Sequence, residues 1–422
     1  MQQEKWTPRH RPPGLERWLT LHFSFGAKVY RLSQLGFPFI ILTSGNSTMG
    51  RVRTIARRGL WMNRPLMQRW LICMAMIIGW PFGAIVEVIR GLRTMPPAKR
   101  PTGVLELAQR SLHMLSLALL RNVPPREYVA YQLHLPKRKD WIDGALYNPE
   151  RIGLMALLNH LQDANQLDVQ DKGRFTELCQ MHALPCIPTL ALFRNGQMEL
   201  PYHPEHSSIW SKDLCGSHGS GGTHWRRDGA LYCNDKGQRL GASELVAEWR
   251  KRDCIVQPCL DNHPLLESLS DGSLVDFRIV TGIARDGTVT VLANLAALPC
   301  GGPERRRFIL GPVDANNCRI FSARLGRFQL VDVHPDSGVV ISDVTIPFWR
   351  EAMELAKRAH AKAFASFVFL GWDIAITTDG PLLIETNSGW SAYNHQVAGD
   401  EPLGCTAFAD ITLQHLEQLK CV

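Results

Sequence analysis

GWDIAITTDGPLLIETNSGW, residues 371–390, reads as two apolar strands folded about a turn, yet it carries three oxygen-bearing side chains, Asp373, Glu385 and Asn387. With Thr378-Asp379-Gly380 as a three-residue loop, Gly380 supplies the left-handed residue that closes such a loop. Thr377 then pairs with Pro381, and the register sets Asp373 directly opposite Glu385. Side chains alternate along a strand, so Glu385 and Asn387 share a face and all three groups converge. A register one residue different would send the two acids to opposite faces. The other faces, with Ile374, Ile376, Leu382 and Ile384, suit a core.

Two carboxylates brought together on an apolar sheet repel each other and are costly to desolvate. A divalent cation removes that cost. Hard oxygen donors that leave a coordination sphere incomplete suit Mg2+ shared with phosphate oxygens. Solvated positions on an open sheet face are the competing reading of the same residues.

The chain has 422 residues, 45% hydrophobic and 20% charged, an ordinary globular composition long enough for two or three domains. Its formal charge of +8 is unevenly placed: residues 1–130 hold 19 Lys and Arg against 5 Asp and Glu, a net of +14, while residues 131–422 hold 28 against 34, a net of −6. The basic front half expects an anionic partner. An anionic membrane surface suits it better than nucleic acid, because basic and aromatic residues do not interleave convincingly. The opening MQQEKWTPRHRPPGLERW lacks the apolar stretch of a signal peptide, and the 11 cysteines follow no repeated spacing. Reduced thiols in a cytoplasmic compartment are therefore expected.

Residues 1–20 read as a polar arm and 21–125 as helices, with loops at TSGNSTMG and RTMPPAKRPTG. WLICMAMIIGWPFGAIV, residues 70–86, carries no charge. Arg57, Arg58, Arg64 and Arg69 precede it, and Arg90 and Arg93 follow. Slightly short for a span and interrupted by Pro81, it reads as a monotopic or re-entrant membrane helix, a buried core helix, or a true span. From about 126 the pattern turns mixed α/β. NPERIGLMALLNHLQDANQL, KGRFTELCQMHA, ASELVAEWRKR and TIPFWREAMELAKRAHAKA have helical spacing. IPTLALFRNG is a strand ending in an Asn-Gly turn, CIVQPCL is a strand, and LVDFRIVTGIARDGTVTVLANLAAL is two long strands joined at Asp286-Gly287.

Two upstream segments have the chemistry of a nucleotide site. SKDLCGSHGSGGTHW sets Lys212 before Gly216, Gly219, Gly221 and Gly222. Such a loop bares backbone N–H groups to phosphates, although it is not a Walker loop and a flexible surface turn is its plainer reading. CIVQPCLDNHP reads as a strand whose backbone around Gln257 to Leu260 can meet an adenine edge. The order DKGRF with Lys172, the Lys212–glycine loop, IVQPCLDNHPLL, DFRIVTG with Arg278 and then GWDIAITTDGPLLIETN resembles the ATP-grasp superfamily. The likeness is specifically to its sugar-transfer-associated branch, over about residues 126–405.

The resemblance implies an α/β (α+β) fold of the ATP-grasp type. Two α+β subdomains, about 165–265 and about 266–405, would sandwich ATP, preceded by the helical region 1–125 and followed by a helix in 406–422. Lys172 and Lys212 look like phosphate-contacting lysines, and Gly216 to Gly222 like a loop closing over the phosphates. Gln257 with the backbone of Cys259 and Leu260 would hold adenine, and Asn262 or His263 would reach the ribose. Arg278, with Lys212, looks catalytic, stabilising phosphate or an intermediate. Asp373, Glu385 and Asn387 look like ligands of Mg2+, two ions, with Mn2+ as a substitute. The implied activity is an ATP-dependent ligase that joins a carboxylate to an amine or related nucleophile through an acyl phosphate. Its substrates would be small molecules or glycans, with a lipid-linked or other membrane-proximal acceptor at the cytoplasmic face. A phosphotransferase on the same fold and a non-catalytic membrane-associated factor in polysaccharide assembly are the alternatives. The chain departs from the branch at LPCGGPERRRFILGPVD, where Arg305, Arg306 and Arg307 stand in place of an Asp-Asn pair. His203, His206, Cys215 and His218 are of zinc-binding types but read as polar loop residues.

Overall fold

The computed structural model describes residues 47–62, 65–95, 100–203, 206–216, 221–302, 307–326 and 329–417. The chain divides into two units, Met1–Leu154 and Met155–Val422.

The described part of the first unit is helical, with long helices Thr48–Met62, Leu66–Arg93 and Val104–Leu120. The first begins inside the expected TSGNSTMG loop, because the Ser47 hydroxyl accepts from Gly50 N at 3.0 Å and caps it. RTMPPAKRPTG separates the second and third helices as expected. The second runs on past Pro81. It buries Trp80 and Ala84 with Ala118, beside Leu115 and Leu119. Among the described residues no helix is long and apolar enough to cross a membrane, so the spanning reading of 70–86 gains no support there. Arg53 ties the unit together, donating to Glu150 Oε1 at 2.6 Å, Asp143 O at 2.7 Å and Ala145 O at 2.8 Å.

The second unit holds two antiparallel sheets of seven strands each among the described residues. In the first sheet β1 (Ala191–Arg194), β2 (Gln197–Leu200), β3 (Ser208–Asp213), β4 (Thr223–Asp228), β5 (Leu231–Asn234), β6 (Arg239–Gly241) and β7 (Cys254–Pro258) lie in the order β2-β1-β7-β3-β4-β5-β6. The expected Asn195-Gly196 turn joins β1 to β2, with both residues at positive φ, 52° and 75°. In the second sheet β8 (Asp276–Ile283), β9 (Val289–Cys300), β10 (Arg307–Gly311), β11 (Arg324–Leu325), β12 (Gln329–Leu330), β13 (Phe369–Thr377) and β14 (Gly380–Asn387) lie in the order β12-β11-β10-β9-β8-β13-β14.

Each sheet has one face sealed by a helix. On the first, Ile209, Trp225, Cys254 and Val256 pack with Leu245 and Trp249 of helix Ala242–Trp249. On the second, Phe277, Ile279, Trp372, Ile374 and Ile376 pack with Trp349, Ala352, Leu355, Ala356 and Ala359 of helix Trp349–Ala363. The helical residues recur three and four apart, as an apolar stripe requires. Burying each large side chain contributes about 1.5–3 kcal/mol. Under the second sheet, Thr281 Oγ1 accepts from Trp372 Nε1 at 2.7 Å and meets His360 Nδ1 at 2.7 Å, while His360 Nε2 lies 2.7 Å from Phe367 O. The imidazole is thus a neutral donor–acceptor relay, and burial pushes its pKa down to about 4.

The decisive hairpin has the expected pair by an unexpected route. Thr377 pairs with Gly380, not Pro381, so the loop has two residues, Thr378 and Asp379. That shifts the register by one near the turn. A bulge at Ile384 shifts it back, and Asp373 faces Glu385 after all. The local shift also changes which apolar residue is sealed: Leu383 is fully buried, whereas Leu382 and Ile384 are only half-buried. Gly380 has positive φ, 113°, as the turn demands.

Candidate functional site

Alternation along β8, β13 and β14 exposes a polar row on the sheet face turned away from helix Trp349–Ala363. Asp373 pairs with Arg278 of β8 on one side and Glu385 of β14 on the other, so the three stand in line across the sheet. Arg278 Nε lies 3.6 Å from Asp373 Oδ1 and donates to Asp276 Oδ2 at 2.9 Å. One row further along, Asn387 pairs with Gly371. Gly371 is required there because Trp390 folds over it: an added Cβ would come 2.6 Å from the tryptophan Cβ.

Two lysines approach the row, Lys172 from a helix whose Phe175 and Cys179 pack into the core of the second sheet and Lys212 from β3 of the first. Lys172 opens the helix Lys172–Met181, whose N-cap, Asp171, accepts from Gly173 N and Arg174 N at 2.9 Å and 3.1 Å. Its Nζ lies 4.0 Å from Glu385 Oε2 and donates to Gly216 O at 3.2 Å. Lys212, buried on β3, feels the charges of Glu385, Lys172 and Asp373.

The charge balance is strained. Burial, then Asp276 and Glu385, push the Asp373 carboxyl well above the usual carboxylate range against the pull of Arg278 and Lys212. Burial also raises Asp276, with Arg278 opposing. Burial works against the Arg278 charge, but Asp373 and Asp276 outweigh it and hold its pKa above the ordinary value. Burial lowers Lys212. Asp276 Oδ1 is buried without a hydrogen bond. A cation placed among these carboxylates would relieve both the repulsion and the orphaned oxygen. Among the described residues no three or more His, Cys, Asp and Glu side chains form a ready-made metal cage. The donor set is instead two facing carboxylates and an amide, which suits a hard ion sharing its shell with a ligand.

On the first sheet Gln257 stands opposite Trp210, two residues along β3 from Lys212, so it shares the Lys212 face. It is buried, and its Oε1 lacks a hydrogen bond, a polar atom awaiting a donor. Cys259 N already donates to Ser208 O at 3.2 Å, and Leu260 follows it, half-buried. Asn262 is spent on the backbone: its amide donates to Ser273 O and accepts from Val275 N, both at 2.8 Å. His263 Nδ1 accepts from Leu265 N at 3.2 Å and caps a short helix. Of the glycine loop, Gly216 and Gly221 have positive φ, 147° and 66°. A side chain at Gly221 would collide with the Asp213–Arg252 ion pair, and its carbonyl accepts from Arg252 at 2.8 Å. Gly222 follows on the way into β4. Gly219 and His218 lie outside the described residues, as do Arg305 and Arg306, while Arg307 begins β10.

Two members of the site escaped the reading of the sequence. Asp276 sits two residues before Arg278 on the same face, and the strand period would have found it. His395, buried in the helix Ala392–Gly399, is held neutral by burial and by the nearby Arg278, its pKa pushed down to about 3.

A family model described as sugar-transfer associated ATP-grasp matches residues 154–407. No curated protein matches the chain. Among solved structures it is similar to an L-amino acid ligase from Bacillus licheniformis, 12% identical over 69% of this chain and 60% of that one, with a TM-score of 0.36. It is also similar to a biotin carboxylase from Campylobacter jejuni in a beta-gamma-ATP complex, 10% identical over 68% of this chain and 58% of that one, TM-score 0.35. A third is the ADP complex of an N5-carboxyaminoimidazole ribonucleotide synthetase, 14% identical over 66% and 68%, TM-score 0.34. The chain thus spans less than two thirds of the length of the first two.

Proposed function

Because the chain belongs to the sugar-transfer associated ATP-grasp family, we propose that it is an ATP-dependent ligase joining a carboxylate to an amine or a related nucleophile. The observation that carries this reading is the row Arg278–Asp373–Glu385 across three strands, with Lys172 and Lys212 closing on it. Asp373, Glu385 and Asn387 would hold Mg2+ there. When bound, the ion would neutralise phosphate oxygens.

The chain's own groups account for the rest. Lys172 and Lys212 would hold the phosphates, and Gln257 Oε1 would accept from the amino group of adenine. Arg278, anchored by Asp276, would stabilise charge on the transferring phosphoryl group and on the tetrahedral species formed when the amine attacks. In this reading the substrate carboxylate attacks the γ-phosphate of ATP, releasing ADP, and the amine then displaces phosphate from the acyl phosphate. Positioning and charge neutralisation supply most of the acceleration. The acceptor would be a small molecule or glycan close to a membrane, in keeping with the +14 balance of residues 1–130.

The test is ADP release by the full chain with Mg2+, ATP and panels of carboxylates and amines, followed by product analysis. An amide with one free phosphate per turnover supports the reading. A phosphorylated product without an amide, or no ADP release from folded protein across the panels, overturns it.

A further inference from the structure

The helix Leu66–Arg93 presents a second feature, independent of the nucleotide site. Met67, Trp70, Met74, Phe82, Ile85 and Ile89 are all exposed, Met67 at 72%, Trp70 at 67% and Phe82 at 54%. Their spacing of three, four and eight residues puts them on one side of the helix. In the second half of the helix the opposite side is used up: Trp80 and Ala84 are buried with Ala118 of the helix Val104–Leu120, and Glu87 is buried beside them. That second helix adds Val104 and Leu105, exposed at 86% and 72%. An apolar stripe of this length on a water-facing surface marks a docking face.

The charge around it selects the occupant. Residues 51–100 hold ten Lys and Arg and one acid, Glu87. Glu87 is buried, 2.6 Å from Arg90 and 3.7 Å from Arg126. The single acid is thus turned inward and neutralised, while Arg93 and Arg100 are exposed at the ends of the helix and of the turn that follows. The side chains of Arg57, Arg58, Arg64 and Arg69 lie outside the described residues. An aromatic and aliphatic stripe with exposed Arg93 and Arg100 at its C-terminal end, in a stretch of sequence with ten basic residues and one acid, matches the acyl–headgroup boundary of an anionic bilayer. A protein partner would have to bring both an apolar groove and an acidic rim.

We propose that the stripe of helix Leu66–Arg93, with the start of helix Val104–Leu120, docks in the plane of an anionic phospholipid surface without crossing it. Headgroup phosphates would meet the arginines, and Trp70 and Phe82 would enter the acyl boundary.

The experiment is flotation of the full chain with vesicles of phosphatidylcholine alone and of phosphatidylcholine mixed with phosphatidylglycerol. The chain floats with the anionic vesicles, less with neutral ones, and added salt weakens the binding. The double variant Trp70→Glu/Phe82→Glu, exposed positions outside the core, loses about tenfold or more in partitioning. Its far-ultraviolet circular dichroism and ATP binding stay unchanged. Equal flotation of variant and wild type overturns the proposal, as does no flotation with either vesicle. A soluble dimer that the same two substitutions dissociate, without vesicle binding, assigns the stripe to a second copy and overturns it too. Vesicle binding does not depend on turnover, so its failure is distinguishable from failure of the ligase reading.

Discussion

Arg278 and Asp373 face each other across β8 and β13, Nε 3.6 Å from Oδ1, and the same Asp373 faces Glu385 across β13 and β14. One acid is thereby held between a cation and another acid. The balance goes against ionisation, since burial and the neighbouring acids raise the Asp373 carboxyl. A residue kept in so unfavourable a position is a candidate for function rather than for stability.

Asp373→Asn should therefore separate activity from stability. ADP release is expected to fall roughly hundredfold or more, as when a group stabilising transition-state charge is removed. The ligand-free protein should unfold no earlier than wild type, because the amide keeps the shape of a carboxyl that burial already disfavours as an anion. Thermal unfolding with and without Mg2+–ATP checks this. Wild type should gain on the order of 2.7 kcal/mol at a hundredfold excess over Kd, and the variant much less.

Lys212→Ala should weaken nucleotide binding by roughly tenfold to a hundredfold, the cost of losing about 1.5–3 kcal/mol of charged hydrogen bonding. Calorimetric titration with Mg2+–ATP measures it. Asn262→Ala serves as the contrast. Both ends of that amide are spent within the fold, so it should lower stability more than affinity.

The hairpin shows how far the sequence carries. The facing of Asp373 and Glu385 was legible from the strand period, although Thr377 pairs with Gly380 and not with Pro381. The bulge at Ile384 compensated, and nothing in LLIETN announces a bulge. Asp276 was legible and missed. The Gly371–Trp390 approach was not legible, because it joins the two Gly-Trp pairs of the segment only after the chain has turned back. The strand order of both sheets was out of reach, since β7 inserts between β1 and β3 through long-range pairing that local patterns do not encode. His395 reaches Arg278 in the same non-local way.

Gly371→Ala should cost about 1–3 kcal/mol of stability, the range for overpacking. The new Cβ meets the first atom of the Trp390 side chain, 2.6 Å away, not a flexible tip. Urea denaturation measures the loss. Because Gly371 pairs with Asn387, nucleotide affinity should fall with it.

Stability should also fall in mild acid. His360 is neutral when folded, its pKa lowered from 6.5 to about 4, and His395 is lowered to about 3. As pH drops below about 6.5, the unfolded chain binds protons that the folded chain refuses. Their contribution is full above that pH and drains as the pH approaches the folded values, on the order of 3 kcal/mol for His360 at the lower limit. Urea midpoints from pH 7 to pH 4.5 should decline steadily; a flat profile contradicts the neutral relay.

The most direct measurement is calorimetric titration of ATP into the full chain, with and without Mg2+, for wild type and for the variant Asp373→Asn/Glu385→Gln. The account predicts Mg2+-dependent binding to wild type that the double variant loses while remaining folded. Nucleotide binding that is indifferent to Mg2+ and equal in both proteins would contradict it.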